Sequence, residues 1–428
     1  MARILIEGGH PLSGEVLVGG AKNAALPIMA ATILTSDTVH LSNIPRLNDV
    51  ETMQKVLRAL GGSSEWEDAG KLKIKCNGGI QEEAPYELVK TMRASFFVMG
   101  PLLSRLKRAR VPLPGGCAIG TRPVNIHLKG FEALGAKVSI DGGFAVAVAD
   151  RLIGTGIHLD FPSVGATENL MMAASLAEGS TTIENAAQEP EIIDLGNFLN
   201  SMGAKIQGTG GPTIQVEGVH SLHGGNYRVI PDRIDAGTFL VLGAVAHGPL
   251  TILNANPSHQ IGVMAKLQEM GATIAVNEDR MTVECPGRLR GADVKTLPYP
   301  GFPTDMQAQF TVAMSVAQGT SLVTESVFEN RFMHIAELVR MGANLNIRDR
   351  TVVVNGVEKL IGAPVSASDL RAGAAMVMAG LIAEGHTEVS NVFHIERGYE
   401  NLVERLSGLG ANIRRIEDSK GPTENNRR

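Results

Sequence analysis

Aromatic residues are scarce in this 428-residue sequence, where phenylalanine, tryptophan and tyrosine together make up 4% of the residues. The hydrophobic core must therefore be built from small and aliphatic side chains, and 49 glycines indicate many tight turns. Such a composition suits many short, similar units. The length is too great for one ordinary core and predicts two or three domains.

Cysteine and long apolar runs are also rare. The three cysteines, Cys76, Cys117 and Cys285, are widely spaced and form no CxxC pair, so we expect free thiols rather than a disulfide framework. Apolar runs such as MAATIL and AAMVMAGLIA fall well short of the roughly 20 residues that span a bilayer. The start MARILIEGGHPL lacks the regions of a signal peptide. We therefore expect a cytoplasmic protein with no membrane partner.

The sequence has no excess of positive charge, since 39 lysines and arginines face 44 acidic residues and the net charge is -5. This balance argues against nucleic acid as the main partner, but leaves open a small anion in a local basic cleft. A Walker phosphate loop, a credible GxGxxG turn and an HExxH motif are all missing. We therefore predict no ATP, no NAD, no metal and no other cofactor, and interpret the histidines of RFMHIAE and FHIERG as structural.

Internal repetition is the strongest signal present. A helix-like stretch ending in Leu/Met-Gly-Ala/Gly recurs six times at a period near 70 residues, with its central glycine at Gly61, Gly135, Gly203, Gly271, Gly342 and Gly410. An alternating apolar and polar stretch follows each copy, as in AKVSIDGGFAVAVA. Each glycine is therefore predicted to end a helix that leads into a strand hairpin.

A second repeated segment is a small-residue helix that is apolar almost all round, as in AKNAALPIMAATIL and DMQAQFTVAMSVA. Helices of this kind lie inside a domain. Each unit is therefore predicted as an α/β repeat with helices inside and sheets outside, and six units divide into two domains of three. We predict one domain over residues 22–230, a second over 1–21 plus 231–415, and a disordered tail over 416–428. The N-terminal strand patterns are expected to complete the last unit.

Charged residues stand at the starts of several of these apolar helices, namely Lys22, Arg93, Asp305 and Arg371. Convergence of these helix ends would create a site for a small, highly charged anion. Each residue also has a simpler interpretation. Asp305 could cap the helix that follows it, and Lys22 or Arg371 could be solvated surface charges. Arg122 and Arg397, taken singly, are also typical of surface residues.

Many motifs of the chain match one known family. They are GAKNAALP, KTMRAS, LPGGCAIGTRPV, SVGAT, NAAQEPEI, PDRI, FPTDMQAQF, ENRFMH, DLRAG and RGYE. With them, residues 3 to 415 closely resemble the UDP-N-acetylglucosamine enolpyruvyl transferases. The resemblance implies an inside-out α/β barrel of two domains, each with three βαβαββ-type units. It also implies transfer of the enolpyruvyl group of phosphoenolpyruvate to the 3-hydroxyl of UDP-N-acetylglucosamine with release of phosphate, the first committed step of peptidoglycan synthesis.

The resemblance also assigns roles around phosphoenolpyruvate. Lys22, Arg122 and Arg397 are implied on the phosphate side, and Arg331 and Arg371 near the carboxylate. Cys117 is implied as the acid that protonates the methylene carbon and as a residue able to form a covalent phospholactoyl adduct. Asp305 is implied as the base or orienting group for the sugar hydroxyl. Gly115 and Gly116 would let the Cys117 loop fold over the substrate as a lid.

Contacts to the nucleotide sugar follow from the same resemblance. Asn23, Asp305 and the backbone of Val327 are implied at the sugar, and Arg93 along the cleft. The uridine diphosphate is implied to lie against Arg122, Pro123, Val124, Asn125 and Ile126 together with Ser163, Val164 and Gly165. The chain departs from the usual family pattern at Asn125, where aspartate is common, and near Phe161, where lysine is common.

Two alternatives remain at this point. The shikimate-3-phosphate branch of the enolpyruvyl transferases shares the six-unit fold, but its first motif resembles GSKSxxxR rather than GAKNAALP, and it lacks a cysteine corresponding to Cys117. A catalytically dead relative with a binding or regulatory role is the other. Retention of Cys117, Asp305 and the cationic set disfavours it.

Overall fold

The computed structural model describes residues 2–90, 92–114, 124–246 and 248–417. The first thirteen strands are β1 (Ala2–Glu7), β2 (Gly14–Leu17), β3 (Thr38–Ser42), β4 (Ser63–Asp68), β5 (Lys71–Lys75), β6 (Arg108–Pro112), β7 (Lys137–Asp141), β8 (Phe144–Val148), β9 (Gly156–His158), β10 (Ser180–Glu184), β11 (Lys205–Gln207), β12 (Thr213–Glu217) and β13 (Gly225–Arg228). The others are β14 (Leu250–Leu253), β15 (Thr273–Asn277), β16 (Arg280–Glu284), β17 (Val294–Lys295), β18 (Thr320–Thr324), β19 (Asn344–Arg348), β20 (Thr351–Asn355), β21 (Pro364–Ser366), β22 (His386–Ser390) and β23 (Asn412–Glu417).

Helices alternate with these strands along the chain. The α-helices are α1 (Lys22–Ala31), α2 (Asn48–Ala59), α3 (Tyr86–Val89), α4 (Met99–Leu106), α5 (Asn125–Ala133), α6 (Val164–Ala174), α7 (Pro190–Ser201), α8 (Arg233–Val245), α9 (Ile261–Glu269), α10 (Gln307–Ser315), α11 (His334–Arg340), α12 (Leu370–Ile382) and α13 (Leu402–Gly408). Short 3-10 helices cover Thr32–Leu34, Arg93–Val98, Pro257–His259, Thr304–Met306 and Val392–Arg397. None of the described helices is long and apolar enough to cross a bilayer.

The described strands form six sheets, five with four strands and one with three. Each four-stranded sheet combines one parallel pair with antiparallel pairs, as where β10 runs parallel to β9 and antiparallel to β12. The three-stranded sheet, β6-β8-β7, is antiparallel throughout. The fold is therefore α/β with mixed sheets, and the predicted class is confirmed.

The repeated glycines end their helices as predicted. Gly61, Gly135, Gly203, Gly271, Gly342 and Gly410 follow α2, α5, α7, α9, α11 and α13, with φ angles of 97°, 97°, 101°, 104°, 89° and 98°. A side chain is strained at such angles, so glycine is the residue that lets the chain leave the helix there. A strand begins within a few residues of each glycine and continues into a hairpin or, for β23, pairs with β1.

The apolar helices are buried, as their composition predicts. All nine residues of α10 are buried, and α1, α6, α8 and α12 each leave at most two residues partly exposed. Their side chains form two separate hydrophobic cores. One runs from Ala21 to Val229, and the other joins Ile4–Val18 to Ile234–Ile413. The chain thus begins and ends in the same core.

The two N-terminal strands take different places. β1 lies between β22 and β23 in the last sheet, as predicted, whereas β2 runs parallel to β14 in the fourth sheet. The prediction that both strands complete the last unit is therefore wrong for β2. In the last sheet, β21 already occupies the position parallel to β22. In the fourth sheet, β14 lacks such a neighbour from the preceding segment, because β13, the strand before α8, pairs with β3. β2 therefore provides the parallel neighbour of β14.

The C-terminal boundary also differs from the prediction. β23 extends to Glu417, and Ile416 and Glu417 pair with Arg3 and Ala2 of β1. These two residues of the predicted tail therefore belong to a sheet. The remainder of the tail, residues 418–428, lies outside the described residues.

Candidate active site

The charged residues predicted at helix starts are found there. Lys22 is the first residue of α1, Arg371 the second residue of α12, and Arg93 the first residue of a 3-10 helix that continues into α4. Asp305 lies in the 3-10 turn before α10. Lys22 is 6% exposed and Arg371 2%, so their interpretation as solvated surface charges is wrong.

Asp305 faces two arginines from different elements. Arg331 donates from Nη2 to Oδ1 at 2.6 Å, and Arg371 donates from Nε and Nη2 to Oδ2 at 3.2 and 3.1 Å. Arg331 also donates from Nη1 to the Thr304 hydroxyl at 2.8 Å. The Asp305 side chain accepts no capping hydrogen bond from the helix after it, so its interpretation as a cap is wrong.

Opposing effects act on the ionisation of Asp305. Burial alone raises the pKa of a carboxyl, but the charges of Arg331 and Arg371 outweigh burial and hold the pKa of Asp305 well below its usual range. Asp305 is therefore a carboxylate at neutral pH. While both arginines contact it, it accepts hydrogen bonds well and accepts a proton poorly.

A second carboxylate, Asp49, holds two further cations. It lies in the first turn of α2 and accepts from Lys22 Nζ at 3.2 Å and from Arg397 Nε at 2.9 Å. Burial pushes the pKa of Asp49 upward, but Lys22 and Arg397 outweigh it and keep the pKa below its ordinary value. Lys22 and Asp49 belong to the first core region and Arg397 to the second, so this cluster links the two parts of the molecule.

The two clusters lie close to each other. Burial lowers the pKa of Lys22, attraction to Asp49 opposes this, and the positive charges of Arg371 and Arg397 lower it further. Arg371 therefore lies near enough to act on Lys22. Together the clusters carry four cations and two carboxylates, a net charge of +2 among these six side chains.

Arg371 packs against a buried network of polar side chains. The guanidinium carbon of Arg371 lies 5.5 Å from the centre of the Tyr399 ring, and the Tyr399 hydroxyl lies 2.9 Å from the Thr238 hydroxyl. Gln309 donates to both of these hydroxyls, at 3.1 and 3.2 Å. This network ties α8, α10 and α12 together beneath the charged site.

Several residues of the site were not singled out from sequence. Asp49 gave no signal, because an aspartate in the first turn of an amphipathic helix is an ordinary feature. Asp232 caps α8 and also accepts from the backbone N–H of Lys22 at 3.2 Å. Arg233, half-buried beside the site, pairs with Glu191 at 3.0 Å. Asp232 and Arg233 fall in the matched motif PDRI, which was their available signal.

The residues predicted at the nucleotide come together in part. Val124 precedes α5, Asn125 and Ile126 open it, and Ser163 caps α6 by accepting from the backbone N–H of Ala166. Asn125 is exposed, as is Phe161. A cleft of about 140 Å³ lies beside Ile126, between α5 and the segment 156–160. It is smaller than the roughly 300–1,000 Å³ of typical ligand pockets, so a whole nucleotide sugar would extend beyond it.

A buried histidine joins these segments to Arg93. His127 of α5 would lie 3.3 Å from a side-chain carbon placed on Gly165, which explains why glycine fits there. The side-chain nitrogen of Asn169, in α6, lies 3.0 Å from Nδ1 of His127. Burial, with the nearby positive charge of Arg93, lowers the pKa of His127 to about 3, so the imidazole is neutral at physiological pH. Arg93, α5 and the start of α6 therefore form one neighbourhood.

The remaining predicted residues fall into two groups. Asn23 follows Lys22 in α1 and is half-buried, and Val327, also half-buried, lies four residues before Arg331. Cys117, Arg122 and Pro123, together with the adjoining Gly115 and Gly116, lie outside the described residues, so their predicted roles stay predictions. Within the described ranges, no group of three or more His, Cys, Asp or Glu side chains has the arrangement of a metal site.

The other two cysteines are buried free thiols, as predicted. Cys76 follows β5 and Cys285 follows β16. Burial raises the pKa of the Cys76 thiol, so this side chain behaves as a small core residue rather than as a nucleophile.

Known proteins resemble this chain over nearly its whole length. The family model described as EPSP synthase (3-phosphoshikimate 1-carboxyvinyltransferase) matches residues 6–406. A protein of Carboxydothermus hydrogenoformans named UDP-N-acetylglucosamine 1-carboxyvinyltransferase 2 is 55% identical over 98% of this chain and 100% of its own length. The chain belongs to the enolpyruvyl transferase family. A second relative, UDP-N-acetylglucosamine 1-carboxyvinyltransferase 1 of Caldanaerobacter subterraneus subsp. tengcongensis, is 54% identical over 96% of this chain and 99% of its own.

Solved structures of enolpyruvyl transferases share the fold. The enolpyruvyl transferase NikO from Streptomyces tendae superposes with a TM-score of 0.87 at 26% identity, covering 97% of this chain and 98% of its own. An EPSP synthase from Acinetobacter baumannii superposes with a TM-score of 0.74 at 18% identity, over 97% of this chain and 100% of its own. The second similarity concerns the fold alone.

Proposed function

We propose that this enolpyruvyl transferase moves the enolpyruvyl group of phosphoenolpyruvate to the 3-hydroxyl of UDP-N-acetylglucosamine and releases phosphate, the first committed step of peptidoglycan synthesis. Its relatives at 53–55% identity carry the corresponding name. The reaction starts from two nucleotide-linked or phosphorylated metabolites of the cell interior, in keeping with the expected cytoplasmic location.

One observation carries the proposal: two carboxylates, the buried Asp49 and the half-buried Asp305, are each held by two of the cations assigned to phosphoenolpyruvate. Asp49 contacts Lys22 and Arg397, on the phosphate side, and Asp305 contacts Arg331 and Arg371, on the carboxylate side. Lys22, Arg331 and Arg371 are buried and Arg397 is half-buried. Cations withdrawn from water in this way need an anion, and a substrate with both a phosphate and a carboxylate supplies one for each cluster. Substrate binding would therefore replace Asp49 by the phosphate of the ligand and Asp305 by its carboxylate.

The exchange gives Asp305 its role. While Arg331 and Arg371 contact it, the pKa of Asp305 is too low for proton abstraction. When the substrate carboxylate takes over the two guanidinium groups, the pKa of Asp305 rises and its oxygens become available to the sugar hydroxyl. Binding of phosphoenolpyruvate thus prepares the base.

Protons and bonds balance through an addition followed by an elimination. In the addition, the 3-hydroxyl oxygen bonds to C2 of phosphoenolpyruvate, its proton passes to Asp305, and the C3 methylene receives a proton from the Cys117 thiol. In the elimination, the C2–O bond to phosphate breaks and C3 gives up one proton to the Cys117 thiolate, which restores the double bond and the thiol. The departing phosphate takes the proton held by Asp305, which restores the base. Lys22 and Arg397 would stabilise the departing phosphate.

In the proposed site, the arginines assigned to phosphoenolpyruvate would favour a thiolate at Cys117, whereas a bound phosphate dianion would favour the thiol. A free thiol has a pKa of about 8.5 and is mostly protonated near neutral pH, so Cys117 would hold the proton that it donates once substrate is bound. The covalent phospholactoyl adduct implied by the family resemblance would form at the same sulfur.

Nucleotide recognition is assigned to the neighbourhood of α5 and α6. Val124, Asn125 and Ile126 with Ser163, Val164 and Gly165 are proposed to hold the uridine diphosphate, together with Arg122 and Pro123. The N-terminus of α6 offers backbone N–H groups to a phosphate. Arg93 lies in the same neighbourhood and would supply positive charge, while Asn23 would meet the sugar.

We further propose that the six sheets belong to six copies of one βαβαββ-type unit, arranged as two inside-out barrels. The repeated left-handed glycines and the two hydrophobic cores support this division. The proposed domain limits are 22–230 and 1–21 plus 231–415.

Phosphate release from phosphoenolpyruvate tests the function directly. Purified protein is assayed with UDP-N-acetylglucosamine or with shikimate 3-phosphate as the acceptor. Turnover with the nucleotide sugar alone is the expected result. Turnover with shikimate 3-phosphate would instead assign the chain to the branch whose name the family model carries, and inactivity with both acceptors would favour a binding or regulatory relative.

A further inference from the structure

The residue that directly follows a strand is an asparagine in four of the six sheets. Asn43, Asn185, Asn254 and Asn391 follow β3, β10, β14 and β22, and their φ angles are 58°, 54°, 54° and 58°. Each side-chain amide donates to the parallel neighbouring strand or to the residue just after it, at 2.7–2.9 Å. This position is therefore a repeated structural lock between two strands.

Glu325 occupies the same position after β18 and breaks the pattern. The four asparagines have a positive φ angle, whereas Glu325 does not. Its contact to the neighbouring strand is reversed in direction, because the Thr296 hydroxyl donates to Glu325 Oε1 at 2.7 Å. A fully buried carboxylate thus replaces a structural amide in the sheet next to Asp305 and Arg331.

The Glu325 carboxylate organises two parts of the site. Its Oε1 accepts from the backbone N–H groups of Val327 and Phe328, at 2.8 and 3.0 Å, and its Oε2 accepts from the Thr304 hydroxyl at 2.8 Å. Since the Thr304 hydroxyl donates to Glu325, its lone pairs face Arg331, which donates to it at 2.8 Å. Glu325 therefore sets the direction of the hydrogen bond that orients Arg331.

We propose that Glu325 is a positioning residue of the enolpyruvyl transfer site, acting through Thr304 on Arg331 and through the backbone on the Val327 segment. The N–H of Val327 is committed to Glu325, so the sugar contact assigned to this backbone falls to the carbonyl oxygen. This inference rests on the proposed function for its kinetic consequences, whereas the ordering of residues 326–331 is independent of any substrate.

Glu325→Gln changes hydrogen-bond direction while keeping the size of the side chain. Because Oε1 accepts three hydrogen bonds, the amide oxygen of glutamine takes that place and the amide nitrogen faces Thr304. The Thr304 hydroxyl then accepts from both glutamine and Arg331, and its own hydrogen has no acceptor. Thr304→Val removes the link altogether, whereas Thr304→Ser keeps the hydroxyl.

The experiment measures kcat/KM and amide hydrogen exchange for full-length wild type and variants. We expect Glu325→Gln and Thr304→Val each to lower kcat/KM for UDP-N-acetylglucosamine at least tenfold, and Thr304→Ser to recover most of that loss. The kcat/KM of the double variant Glu325→Gln, Thr304→Val is expected to lie within twofold of that of the less active single variant, because both changes break the same chain of hydrogen bonds. Exchange of the amides at 326–331 is expected to accelerate at least tenfold in Glu325→Gln.

Asn254→Ala provides the matched control. It removes the equivalent strand contact in the fourth sheet, where the Asn254 amide donates to the Val18 carbonyl rather than to a charged side chain of the site, so it reports the effect of losing such a contact. The inference is overturned if Asn254→Ala lowers kcat/KM as much as Glu325→Gln, if Thr304→Ser is as impaired as Thr304→Val, or if exchange at 326–331 stays at the wild-type rate. Failure of the proposed function would be seen differently, because the wild-type protein itself would show no turnover. Amide hydrogen exchange at 326–331 would still decide the role of Glu325.

Discussion

Arg371 donates two hydrogen bonds to a single carboxylate oxygen of Asp305, from Nε at 3.2 Å and from Nη2 at 3.1 Å. The other oxygen accepts from Arg331 at 2.6 Å. Both guanidinium groups are therefore occupied by an internal anion. The predicted base therefore offsets part of the charge of the predicted carboxylate site, and we propose that a substrate carboxylate takes its place.

Replacing Asp305 with asparagine tests this exchange. We expect Asp305→Asn to lower kcat by about 100-fold or more, since a general base contributes on this scale. Affinity for phosphoenolpyruvate should be equal or tighter, because its carboxylate no longer competes with Asp305, and the nucleotide sugar should still bind. Titration calorimetry measures both affinities, with the exposed Asp279→Asn as control. Near-normal turnover would remove Asp305 from the mechanism, and weaker phosphoenolpyruvate binding would contradict the exchange.

Asp49 should contribute to stability in a pH-dependent way. Its folded pKa is lowered, so its stabilisation is present above the unfolded carboxyl pKa of about 3.9 and is lost as pH falls through the folded value. Asp49→Asn leaves Lys22 buried without its partner and should reduce the free energy of unfolding by about 3 kcal/mol at pH 7.

Urea unfolding from pH 2.5 to 7 checks this expectation for Asp49. The difference between wild type and Asp49→Asn should shrink as the pH falls below 4. Asp68→Asn, which breaks an exposed contact to Lys71, serves as the control and should change stability by at most about 0.5 kcal/mol. A constant difference at every pH would contradict the assignment.

Glu168 should show the opposite pH dependence. It is fully buried in α6, and within the described part of the chain neither carboxylate oxygen has a hydrogen-bond partner. Burial, with Glu191 and Glu189 nearby, raises the pKa of Glu168 well above its usual value. The unfolded chain releases this proton near pH 4.3 while the folded protein keeps it, so stability falls as pH rises from there towards the folded pKa.

Glu168→Gln removes that dependence because an amide does not ionise. The variant should gain stability relative to wild type by up to about 1.4 kcal/mol per pH unit above pH 4.3, until the folded pKa is reached. Thermal unfolding at pH 4, 6 and 8 measures the gain, and the exposed Glu178→Gln is the control. A variant that loses stability equally at all three pH values would show that Glu168 is not held protonated.

Cys117 carries the prediction that depends on sequence alone. Cys117→Ser should nearly abolish turnover, because a serine hydroxyl is a much weaker acid than a thiol. It should also prevent covalent modification by the epoxide fosfomycin, as detected by intact-protein mass spectrometry. Cys76→Ser and Cys285→Ser are the matched controls, since both thiols are buried. Normal modification of Cys117→Ser would refute the assignment.

Much of the fold follows from the repeat pattern alone. A left-handed glycine after a helix and an all-apolar helix each have a local physical cause, so Gly61 and its five counterparts, and buried helices such as α10, followed from sequence. Strand partners did not. β2 has the same kind of pattern as β1, and its place beside β14 depends on which sheet edges other segments leave open.

The sequence by itself therefore determined the α/β class, the positions of Lys22, Arg93, Asp305 and Arg371 at helix starts, and, through its motifs, the family. Only the tertiary structure decided how those charges are neutralised. Asp49 reaches Arg397 across 348 positions, and Glu325 reaches Arg331 through Thr304. A charge at a helix end has a local signature, but the partner that compensates it on burial comes from wherever the fold brings an opposite charge within hydrogen-bonding distance.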